Sequence, residues 1–60
     1  MGTFMEATEA QLAKMLDLLD HYEFLHADLE FYTEWVRSDL SAVDAAVIID
    51  DMRTVRKTPR

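Results

Sequence analysis

The sequence predicts an all-α protein: a helical hairpin, one long and one shorter helix, assembling as a homodimeric four-helix bundle. Three observations predict it. The single glycine and the single proline, Gly2 and Pro59, lie at the extremes, so nothing between them breaks a helix. Apolar residues recur at intervals of three and four along most of the chain. A chain of 60 residues with no cysteine buries only about 60% of its unfolded surface and has no disulfide to compensate, which favours association.

The first helix is expected over about residues 4–37. Two capping boxes compete for its start, Thr3 with Glu6 and Thr8 with Gln11. Its seam is Met15, Leu18, Tyr22, Leu25, Leu29, Tyr32 and Val36, alternately three and four apart. The extra apolar residues change sides along it. Leu12, Leu16 and Leu19 flank the first half, whereas Phe24, Phe31 and Trp35 flank the second. The apolar face therefore swings by about a quarter turn near His21.

A turn follows over residues 38–41. Ser41 with Asp44 then caps a second helix over about residues 41–57, and a basic tail, 58–60, ends the chain. Val47-Ile48-Ile49 has some strand character, but Ala45, Ala46, Asp50, Asp51 and Met52 around it favour helix. The whole is read as one domain, 1–60.

Length dictates the assembly. A helix of about 30 residues is about 45 Å long and one of about 16 is about 24 Å, so the second helix covers only half of the first. Leu12, Met15, Leu16 and Leu19 are then without a partner in their own chain, and Val43 and Val47 lie opposite the main stripe of the second helix. These six are the expected oligomer interface.

The net charge is −6, unevenly spread. Residues 1–52 hold all twelve acids against Lys14 and Arg37, giving −10, while Arg53, Arg56, Lys57 and Arg60 give the last eight residues +4. An acidic body repels phosphate, so direct nucleic-acid binding by it is not expected. The basic end complements a helix C-terminus. No apolar run approaches the roughly 18 residues of a membrane span, and a cytoplasmic, membrane-free protein is expected.

Few residues suggest chemistry. Glu23 and His26 have the Glu-x-x-His spacing that di-iron bundles use on a helix, but the second helix supplies no glutamate, so no metal or other cofactor is expected. Asp17 and His21, four apart, suit a surface pair. Nothing resembles an activated nucleophile or a phosphate-binding loop. The expectation is a non-enzymatic interaction module, a regulatory or adaptor factor of bacterial or phage type. It would bind itself and another protein, with Phe31 and Trp35 as candidate partner contacts. The alternatives are an acidic nucleic-acid mimic, with carboxylates including Glu23, Glu30 and Glu34 standing for phosphates, and a carboxylate/histidine metal bundle.

Overall fold

A computed structural model describes residues 5–60. Three helices and a small sheet follow one another as α1 (Glu9–His21), β1 (Tyr22–Phe24), α2 (His26–Arg37), α3 (Ala42–Thr54) and β2 (Lys57–Pro59). The hairpin expectation is therefore wrong: the long first helix is two helices, interrupted by a strand, and the C-terminal segment is a strand rather than the end of a helix.

Local chemistry sets the boundaries. Of the two possible starts, Thr8 with Gln11 caps α1: Thr8 Oγ1 accepts from the Gln11 N–H, and Gln11 Oε1 accepts from the Thr8 N–H, both at 3.0 Å. Thr3 lies outside the described residues. Ser41 caps α3 by accepting from the Asp44 N–H at 3.1 Å. Ser38 closes α2, its hydroxyl donating to the Glu34 carbonyl at 2.8 Å. The turn expected at 38–41 is present, between Arg37 and Ala42. Val47-Ile48-Ile49 is helical, as expected from its neighbours.

The helix breaks at Tyr22–Phe24 because that segment has a better partner than itself. β1 pairs antiparallel with β2, with Tyr22 opposite Pro59, Glu23 opposite Thr58 and Phe24 opposite Lys57. The Arg60 N–H donates to the His21 carbonyl at 3.0 Å, which makes 21/60 a hydrogen-bonded pair. Alternation then makes 23/58 the next such pair and leaves Pro59 where no N–H is needed. Lys57 Nζ also sits 5.1 Å from the centre of the Tyr22 ring. Thr58→Pro should accordingly destabilise the fold by removing the central donor of this ladder. A Thr58→Pro melting temperature equal to the parent's would show that β1–β2 pairing contributes nothing to stability.

The two ends of the molecule are tied in the same way. Near the helix starts, Glu6 bridges Ser41, the Ala7 N–H donates to the Leu40 carbonyl at 2.9 Å, and the Ala42 N–H donates to Met5 at 2.7 Å. Gln11 Nε2 adds a bond to the Ala42 carbonyl at 3.0 Å. So α1 and α3 begin side by side and are joined again beyond their ends by β1–β2, with α2 running back between those two ends.

The core sits among these elements: Met15 and Leu18 of α1, Phe24 of β1, Tyr32 of α2, Leu40, and Ala45, Ile48 and Met52 of α3. No polar or charged residue is buried among the described residues, and no buried side-chain polar atom lacks a partner. Met15 is 0% exposed, and Leu12 and Leu19 pack partly against the same cluster. The cover expected from a second copy thus comes from α3 of the same chain. The break at Tyr22–Phe24 turns the chain back, so the helix expected over about residues 41–57 lies along α1, and the four-helix bundle is not needed to bury Met15. Leu16, Val43 and Val47 do remain exposed.

Candidate interaction site

Four aromatic rings run in an unbroken series from the core to the surface. Phe24, buried on β1, meets Tyr32 edge-to-face with centroids 5.5 Å apart. Tyr32 meets Phe31 at 5.5 Å, and Phe31 meets Trp35 at 6.1 Å, again edge-to-face. Such pairs contribute about 0.5–1.5 kcal/mol beyond their burial, and here they also fix ring orientation. Tyr32 is only 1% exposed, whereas Phe31 is 50% exposed. A large apolar ring is thus held on the surface by a neighbour locked into the core.

Tyr32 is itself anchored at its far end. Its hydroxyl donates to Asp51 Oδ2 of α3 at 2.5 Å. Burial raises the Tyr32 pKa well above its ordinary value, and the Asp51 hydrogen bond and charge raise it further. The tyrosine therefore stays neutral and keeps donating at any ordinary pH.

Shallow grooves flank the exposed face of α2. The first, about 520 Å³, is lined by Ala27, Glu30, Phe31, Glu34, Trp35 and Ser38. These positions are spaced three and four apart and so form one stripe along the helix. The second, about 530 Å³, is lined by Leu29, Thr33 and the same two glutamates. Glu30 and Glu34, one turn apart, form a carboxylate ridge between two grooves. His26 Nε2 lies 2.9 Å from Glu30 Oε1, while Glu34 has no ion-pair partner among the described residues.

The candidate metal ligands are not brought together. Glu23 lies on β1 and His26 opens α2, so the helical spacing that suggested a metal is not realised, and His26 faces Glu30 instead. No group of three or more His, Asp or Glu among the described residues is placed to hold a metal ion. The expected Asp17–His21 pair does form, with His21 Nδ1 3.0 Å from Asp17 Oδ1. The His21 pKa is raised, first by a hydrogen bond with the Asp17 backbone carbonyl and then by the Asp17 charge. That stabilisation is complete below the ordinary histidine pKa and lost as pH rises through the raised value. Because both side chains are largely exposed, it is small.

Of the expected partner contacts, Phe31 and Trp35 lie together in one groove; of the expected oligomer contacts, Met15 is buried, Leu12 and Leu19 pack partly against the core, and Leu16, Val43 and Val47 are exposed. Glu30 and Glu34, expected only as members of a general row of carboxylates, lie together beside Phe31 and Trp35, whereas Glu23 is on β1. No described helix is long and apolar enough to cross a membrane. Comparison with protein-family models, with curated proteins and with solved structures gives no match to this chain.

Proposed function

We propose that the protein is a non-enzymatic interaction module, of regulatory or adaptor kind, that binds another protein through the outer face of α2. The observation that carries this reading is the exposed Phe31 ring, packed between buried Tyr32 and half-buried Trp35. Full burial of such a ring is worth about 1.5–3 kcal/mol, and with Phe31 50% exposed about half of that is available to a partner. A ring already held in place loses little conformational freedom on binding, which favours affinity. Aromatic anchors of this type dominate interface energetics.

Capture from cells that make the protein tests the reading when three baits are compared. The parent and Leu16→Ala, which truncates an exposed side chain on α1, should retain the same protein. Phe31→Ala should lose it while keeping the parent's helical spectrum. Retention of every captured protein by folded Phe31→Ala would place the interaction elsewhere.

A further inference from the structure

We infer that the segment that docks on α2 is a basic, amphipathic helix of another protein, its arginine or lysine side chains straddling the Glu30–Glu34 ridge. This rests on the assignment of the α2 face as the docking surface and adds the chemistry of its occupant.

Shape selects a helix. The groove beside Phe31 and Trp35 runs from Ala27 to Ser38, about 16 Å at the helical rise, which is three turns of a partner helix. Its two ends are marked by the small residues Ala27 and Ser38, which permit close approach of another backbone. Apolar side chains of the partner at a helical spacing would enter beside Phe31 and Trp35.

Charge selects the sign. The two carboxylates of the ridge point to neither groove alone but line both, so a cation reaching over from either side meets them. Guanidinium suits this position, since it pairs with carboxylates through two parallel hydrogen bonds and stacks on aromatic faces. No lysine or arginine among the described residues forms an ion pair with any carboxylate, so this demand is not met within the chain.

Charge also decides against a second copy. Each chain carries −6, and stacking α2 on α2 would set Glu30 and Glu34 against their own counterparts. Within the basic end, Lys57 donates to the Arg53 carbonyl at 2.8 Å and covers Tyr22, and β2 is paired with β1. Nucleic acid is disfavoured by the same acids.

A displayed library of helical 16-residue peptides, randomised on one face, provides the probe. Selection on the full-length parent, with counter-selection on Phe31→Ala, should enrich peptides carrying arginine or lysine at two positions three or four apart, flanked by large apolar residues. Trp35 is the only tryptophan, so its fluorescence reads binding of a synthesised winner at the site itself. The double exchange Glu30→Gln and Glu34→Gln should raise Kd by roughly tenfold, as expected for two exposed ion pairs, and added salt should weaken the parent complex. Enrichment of neutral or acidic apolar peptides that still need Phe31 would overturn the basic occupant and leave the docking face standing. No Phe31-dependent enrichment would overturn both. A micromolar dimer in sedimentation that Phe31→Ala dissociates would make the occupant a second copy and sink the inference.

Discussion

Met15→Ala should remove most of the stability of this protein. Met15 is fully buried in the core that α1 shares with α3, among Leu18, Ala45, Ile48 and Met52. Truncating a buried methionine to alanine costs about 2–5 kcal/mol, the transfer of the lost atoms plus the cavity they leave. At about 0.05–0.15 kcal/mol per residue, the total stability of a chain this size is about 3–9 kcal/mol. The variant is thus expected to keep less than half of its stability, with its thermal transition by circular dichroism displaced far downward. The neighbouring Leu16→Asp gives the contrast. Leu16 is 54% exposed, and a carboxylate there stays in water, so its transition should lie within a few degrees of the parent's. Equal behaviour of the two variants would show that the α1 face is assigned wrongly.

Strongly alkaline solution should unfold the protein through Tyr32. The folded chain holds this phenol neutral, against its ordinary pKa of about 10, by burying the ring and by committing the hydroxyl proton to Asp51. The folded pKa is raised above the unfolded one. Stability from this source is therefore complete below pH of about 10 and declines as pH climbs toward the folded value. Tyr32→Phe keeps the ring contacts with Phe24 and Phe31 and removes the ionisation. It should cost about 1 kcal/mol at neutral pH for the lost hydrogen bond, because Asp51 is exposed and regains water. Above pH of about 10 it should lose less stability than the parent, so the two denaturation midpoints converge. Parallel pH profiles of parent and Tyr32→Phe would exclude Tyr32 as the cause.

Much of the interior was legible in the sequence. The three-and-four spacing picked out Met15, Leu18 and Tyr32, and the cap signals at Thr8 and Ser41 mark the true starts of α1 and α3. The main error concerned Tyr22–Leu25. The swing of the apolar face near His21 is a real feature, but its cause is a change of direction of the chain rather than a change of partner along one helix. No glycine or proline marks the break, since β1 is created by pairing with Lys57–Pro59, distant in sequence. Local propensity does not report such a partner. The same omission left Met15 apparently uncovered: with the chain turned back at β1, α3 lies along α1 and buries it. The aromatic groove was half legible. Phe31 and Trp35 share a helix face at spacing four, but that Phe31 remains exposed while Tyr32 beside it is buried depends on the path of α2.

The double tying of α1 to α3 has a consequence for synthesis. Tyr22 is made well before its cross-strand neighbour Pro59. Until then β1 has no strand to pair with, and residues around His21 are free to continue as helix, as their own preferences favour. The completed fold must therefore replace a local solution by a non-local one, and closure of a long loop is the slow event in such a step. A nascent chain that does not yet include Lys57–Pro59 is thus a different conformer from one that does, with the Tyr22–Phe24 segment committed only once β2 is made.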